Sequence, residues 1–151
     1  MANSYTQIYI QYVFAVKHRE CFLSPDDKEL QKYIGGIINN LNCIPLMINN
    51  MHDHIHIFVV QHPTVSVSEL AQKMKNNSSS WLKTHLQNSN FFWQAGYGAF
   101  SYAHSQIGEV SKYIENQQEH HKRQTFEHEY RDFLEKFEID YNEKYIFEFF
   151  D

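Results

Sequence analysis

Between residues 5 and 17, Ile8, Ile10, Tyr12, Phe14 and Val16 occupy every second position, the period that turns one face of a β-strand into a core. This run predicts a strand in the middle of a sheet. A helix signal follows. Ser24-Pro25-Asp26-Asp27 offers a cap residue, an early proline and acids near the positive end of the helix dipole, and Leu30, Ile34, Ile37, Ile38 and Leu41 then recur at helical spacing. Residues 44 to 51 and 54 to 61 read as two further strands, with Asn49-Asn50 as a turn or irregularity between them. Val67, Leu70, Met74, Trp81 and Leu82 mark a second helix. Their stripe runs through Asn76-Asn77-Ser78-Ser79-Ser80, so that polar stretch is one face of the helix and not a linker. Residues 96 to 103 predict a fourth strand entered through glycines. Ser105 is placed to cap a helix carrying Ile107, Val110 and Ile114, and Phe126, Tyr130, Phe133, Leu134 and Phe137 line a last helix.

The order strand, helix, strand, strand, helix, strand, then two helices, predicts an α+β fold. It is a ferredoxin-like split βαβ antiparallel sheet with helices on one face and added C-terminal helices. The other face of such a sheet is expected to stay open to a ligand or partner. At 151 residues, 18.1 kDa and 42% hydrophobic composition, the chain has the material for one domain spanning 1–151, with no internal repeat. No apolar run approaches a membrane span and the first residues do not read as a signal peptide, which predicts a cytoplasmic protein with no membrane partner. Cys21 and Cys43 read as packing residues.

Charge matters by segment. The whole chain carries 13 Lys+Arg against 18 Asp+Glu, but residues 124 to 151 alone hold 3 against 9. The remainder is therefore almost balanced, with local basic groups at Lys17-His18-Arg19, Lys73, Lys75 and His120-His121-Lys122-Arg123. A short phosphate-contacting surface is compatible with this distribution, although the strongly basic footprint of a duplex binder is missing.

Three groups of residues could carry chemistry. His54 and His56 flank Ile55, so on a strand both imidazoles project from one face while Ile55, Ile57 and Val59 enter the core. Two imidazoles so placed can share a metal ion, though a chance pair of exposed strand histidines has the same spacing, with His52 as a possible third. Tyr113 and Gln117 fall one helical turn apart beside the Ile107, Val110 and Ile114 stripe. A phenol near pKa 10 needs a metal-polarised phosphate to act as a nucleophile, and a glutamine oxygen can serve that metal. The simpler reading is a boundary tyrosine and an exposed glutamine. Lys17, Arg19, Lys73, Lys75 and Asn76 are the candidate contacts to nucleic acid, where aromatic stacking supplements a modest charge. The chain has no P-loop, dinucleotide-type glycine fingerprint, Gly-x-Ser-x-Gly elbow or zinc-finger spacing.

These groups occur together in a pattern that resembles the single-tyrosine HUH transposases, small insertion-sequence enzymes acting on single-stranded DNA, including their REP-associated relatives. The resemblance rests on Met51-His-Asp-His-Ile-His56, Met74-Lys-Asn-Asn-Ser-Ser-Ser-Trp-Leu82, Trp93-Gln-Ala-Gly-Tyr-Gly-Ala-Phe-Ser101 and Val110-Ser-Lys-Tyr-Ile-Glu-Asn-Gln-Gln-Glu-His-His121, in that order. It implies that His54 and His56 are metal ligands, that Gln117 is the third, and that Tyr113 is the nucleophile. It also implies a magnesium or manganese cofactor and a 5′-phosphotyrosine intermediate. The implied partners are single-stranded DNA with hairpin ends and a second copy of the chain, in a homodimer whose active sites are shared between chains. His52 departs from the family pattern, where proline is frequent, and so does the acidic C-terminal segment. The alternatives are a host-retained HUH hairpin-processing nickase and a non-catalytic ferredoxin-like nucleic-acid-binding module.

Overall fold

A computed structural model describes residues 4–17, 23–121, 124–143 and 146–147. Its strands are β1 (Tyr9–Ala15), β2 (Ile44–Asn50), β3 (His54–Val60) and β4 (Gly98–Tyr102), and its helices are α1 (Lys28–Asn40), α2 (Val67–His85), α3 (Ile107–Glu115), α4 (Gln117–His121) and α5 (Phe126–Lys136). The strands form one sheet in the order β2-β3-β1-β4 with every pair antiparallel, so β1 is internal as its alternation predicts. The fold is α+β. Ile10, Tyr12, Phe14, Ile55, Ile57 and Val59 face a core completed by Leu30, Ile34 and Ile38 of α1 and Leu70, Met74 and Leu82 of α2.

The other face is not open. Val13, Ala15 and Phe100 pack under Phe126, Tyr130 and Leu134 of α5, and Tyr9 and Phe58 pack under Val110 and Ile114 of α3. The apolar stripes of the last helices have to be buried somewhere, and the second sheet face is the large apolar surface available to them. Among the described residues no helix is long and apolar enough to cross a membrane.

Local details differ from the sequence expectations. Helix α1 begins three residues after Pro25 and is capped by Asp27, whose carboxylate accepts from the Glu29 amide at 3.1 Å. Ser105 caps nothing and lies in a 3₁₀ turn, His104–Gln106, that leads into α3. Asn49 and Asn50 are not a turn. They are buried at the end of β2, where Asn49 Nδ2 donates to the Ile114 and Glu115 carbonyls at 2.9 and 3.2 Å and so ties down the end of α3. The serine run is continuous helix, yet Ser78 is buried and its hydroxyl accepts from Trp93 Nε1 at 2.9 Å.

Two stability predictions follow from the second face. A Cβ on Gly98 would lie 2.7 Å from Tyr130 Oη and 2.9 Å from Cε1 of the same rigid ring, which presses α5 off the sheet. Gly98→Ala is therefore expected to cost about 1–3 kcal/mol, measured as a lowered urea midpoint. Burial pushes the Tyr102 and Tyr130 phenols up to about 12 from an ordinary 10.0. The unfolded chain then releases these protons first, so their contribution is intact below pH 10 and declines as pH rises towards 12. Between those values urea midpoints should fall with a slope approaching about 1.4 kcal/mol per pH unit per tyrosine, and Tyr130→Phe should flatten the decline.

Candidate functional site

Period two on β3 places His54 and His56 side by side on the face that α5 covers, with Ile55 and Ile57 opposite. Both histidines are 0% exposed. Each ring is fixed through Nδ1: His54 donates to Asp53 Oδ1 at 2.7 Å and His56 to Gln11 Oε1 at 2.7 Å. With Nδ1 bearing the hydrogen, a neutral ring presents its lone pair at Nε2, the form that binds a metal. The His54 ring also stacks on Phe126 of α5, centroids 3.9 Å apart. Its pKa is held below 6.5, first by burial, with the hydrogen bond to Asp53 acting the other way.

The residue that completes the site is Glu129. It projects from α5 between the histidines and the tyrosine helix and is itself buried. Glu129 Oε1 lies 3.1 Å from His56 Nε2 and 3.6 Å from His54 Nε2. Its other oxygen accepts from the Tyr113 hydroxyl and from Gln117 Nε2, the latter at 3.3 Å. Gln117 Oε1 in turn stands 3.5 Å from His54 Nε2. The sequence reading did not single out Glu129. The available signal was an acid among Phe126, Tyr130 and Phe133, on the apolar stripe of its helix.

Tyr113 and Gln117 do not share a helix. Helix α3 ends at Glu115, Asn116 breaks the run, and Gln117 opens α4. They converge on Glu129 all the same. Burial, followed by the Glu129 charge, raises the Tyr113 phenol well above its usual range and keeps it protonated in this state. A cavity of about 340 Å³ reaches this cluster, bounded by Gln11, Tyr102, Val110, Tyr113, Glu129 and Phe133.

The proposed nucleic-acid contacts are dispersed. Lys17 is exposed just past β1, and its amide donates to the Phe92 carbonyl at 2.9 Å. Arg19 lies outside the described residues. Lys73 and Asn76 are exposed on α2, whose core contacts are on the sheet face opposite the histidines. Lys75 is taken up by the fold: its ammonium donates to the carbonyls of Gln94 and Gly96 at 2.8 and 2.7 Å, and burial lowers its pKa. His52 sits exposed in the bend before β3, outside the strand, with Nδ1 3.0 Å from the Leu23 carbonyl. In the C-terminal segment Phe147 folds back on Tyr130, with centroids 4.7 Å apart.

The sequence profile of the family described as "Transposase IS200 like" matches residues 4–117, which include β1 through α3 and the first residue of α4. The chain belongs to this transposase family. Two solved structures share its fold. One is a candidate transposase from Deinococcus radiodurans R1, with a TM-score of 0.60 and 16% identity, covering 78% of this chain and 95% of its own. The other is a REP-associated tyrosine transposase bound to a REP hairpin, with a TM-score of 0.59 and 12% identity, covering 80% of this chain and 73% of its own. No curated protein matches at a significant level. Within this transposase fold the family match ends at Gln117, so α5 and Glu129 lie beyond it.

The donor set fits a divalent cation. Among the described residues, His54, His56 and Glu129 form a group whose ligand atoms all lie within 4.8 Å of one another. Two neutral nitrogens with a carboxylate oxygen suit manganese, zinc and related ions, and additional oxygens favour magnesium or manganese.

Proposed function

We propose that this transposase cuts and rejoins single-stranded DNA at hairpin-marked element ends through a 5′-phosphotyrosine intermediate. One observation carries the reading: within a single chain, the Tyr113 hydroxyl and the Nε2 edges of His54 and His56 meet on the two oxygens of one buried carboxylate. A buried nucleophile beside a cation-binding cluster is the arrangement that phosphoryl transfer by a tyrosine requires.

In this reaction Tyr113 Oη bonds to phosphorus as the bond from phosphorus to the 3′ oxygen breaks. The phenol loses its proton and the departing 3′ oxygen gains one. Attack by a 3′-hydroxyl on the phosphotyrosine then rejoins strands, so one phosphodiester is exchanged for another and no nucleotide cofactor is consumed. A divalent cation, magnesium or manganese, held by His54, His56 and Gln117, supplies Lewis-acid polarisation of the phosphoryl oxygens. Asp53 and Gln11 keep the two imidazoles oriented towards it. The cavity beside Tyr113 supplies the approach for the scissile strand.

The hairpin substrate is inferred from the REP hairpin held by the similar transposase. Lys17, Arg19, Lys73 and Asn76 are proposed to contact its phosphates, and Lys75 to brace the loop at Gln94 and Gly96 beside them. The site is assembled in one chain, whereas the family resemblance implies sharing between two. We therefore assign catalysis to the single chain, also within a homodimer. The test is a denaturing gel of the protein with oligonucleotides from both flanks of its gene. A covalent adduct formed with manganese and absent with chelator supports the reading; hairpin binding with no adduct supports a non-catalytic module.

A further inference from the structure

The electrostatics of the buried cluster are incomplete with His54, His56 and Gln117 alone. Two imidazoles and an amide are all neutral donors, so a divalent cation among them would keep its full charge in a site from which water is largely excluded. The fold places one anionic oxygen there. Glu129 Oε1 is 3.1 and 3.6 Å from the two Nε2 atoms, and Gln117 Oε1 is 3.5 Å from His54 Nε2. Because both Nδ1 atoms face acceptors, the Nε2 lone pairs, the Glu129 oxygen and the Gln117 oxygen point into one region. Four electron-rich atoms in that arrangement repel one another and are drawn together by a shared cation.

We propose that Glu129, delivered by the acidic C-terminal helix, is a protein ligand to the divalent metal through Oε1 while Oε2 holds the Tyr113 hydroxyl beside it. This rests on the reading that the histidine pair binds a divalent cation. It gives the acidic C-terminal segment a role that a DNA-contacting surface does not explain. Metal is then bound by the chain before DNA arrives, and one carboxylate couples metal loading to the position of the nucleophile. Helix α5 is held for this by Phe126 on His54 and by the Tyr130 and Phe133 rings beside Phe100. Thr125 caps its start by accepting from the His128 amide at 3.2 Å.

The experiment is calorimetric titration of Mn²⁺ into the metal-free full-length protein without DNA, comparing wild type, Glu129→Gln and Gln117→Ala. Loss of a charged ligand is expected to weaken Mn²⁺ binding at least about tenfold in Glu129→Gln, with a smaller loss in Gln117→Ala. Glu129→Cys provides a direct readout, and it decides the matter if Glu129→Gln fails to fold. With Co²⁺, a coordinated thiolate gives a sulfur-to-cobalt charge-transfer band, expected in this variant and absent from wild type, whose Cys21 and Cys43 serve as the internal control. Wild-type Mn²⁺ affinity in Glu129→Gln, or no such band in Glu129→Cys, would overturn the assignment. An adduct in wild type together with either result leaves the transposase chemistry standing and removes only Glu129. Glutamate-dependent metal binding with no adduct from any flank does the reverse.

Discussion

Tyr113→Phe is expected to abolish the covalent protein–DNA adduct, by at least about a thousandfold, while hairpin binding stays within a few-fold of wild type. The substitution removes only the hydroxyl. The ring remains packed near His56 and Phe133, with centroids at 6.4 and 6.1 Å, so the helix carrying it has no reason to move. The lost contact is the one to Glu129 Oε2, which keeps the donor from Gln117 at 3.3 Å. The fold should therefore lose no more than about 1–3 kcal/mol, and a urea midpoint measured alongside the gel separates lost chemistry from lost structure. An adduct of undiminished yield in this variant would remove Tyr113 as the nucleophile.

The second large effect is expected from His56→Ala. This ring bonds Gln11 on one side and faces Glu129 on the other, so its removal takes away a metal donor and leaves two buried polar partners without it. Mn²⁺ affinity should fall by about a hundredfold or more, and the adduct should disappear with it. The cavity adds a stability cost of about 2–4 kcal/mol. His56→Gln, which keeps much of the volume and a polar end, separates the two losses: it should recover most of the stability and little of the metal affinity. Mixing Tyr113→Phe with His56→Ala protein then tests where the site is assembled. A single-chain site predicts no adduct from the mixture, whereas restored adduct would show that tyrosine and histidines come from different copies.

Much of this site could be read from spacing. The side-chain alternation of a strand is a local property, so His54 and His56 had to share a face opposite Ile55 and Ile57 wherever β3 was placed. The helical stripe likewise set Tyr113 near Val110 and Ile114. The asparagines and serines misled for the same local reason: Asn49 and Ser78 resemble turn or surface residues until the carbonyls of α3 and the indole of Trp93 are brought to them. Lys75 resembled a free cation, and the carbonyls that hold it are 19 and 21 residues away.

The sequence alone determined the element order, the apolar faces, the histidine pair and the family pattern, because each depends on residues within a few turns or strand positions of one another. Only the tertiary structure decided that the second sheet face is covered and that an acid 73 residues from His56 enters the site. A periodic stripe shows that a face must be buried but not which distant segment will bury it. A single glutamate on such a stripe acquires meaning only when its oxygens meet the imidazoles and the phenol that await them.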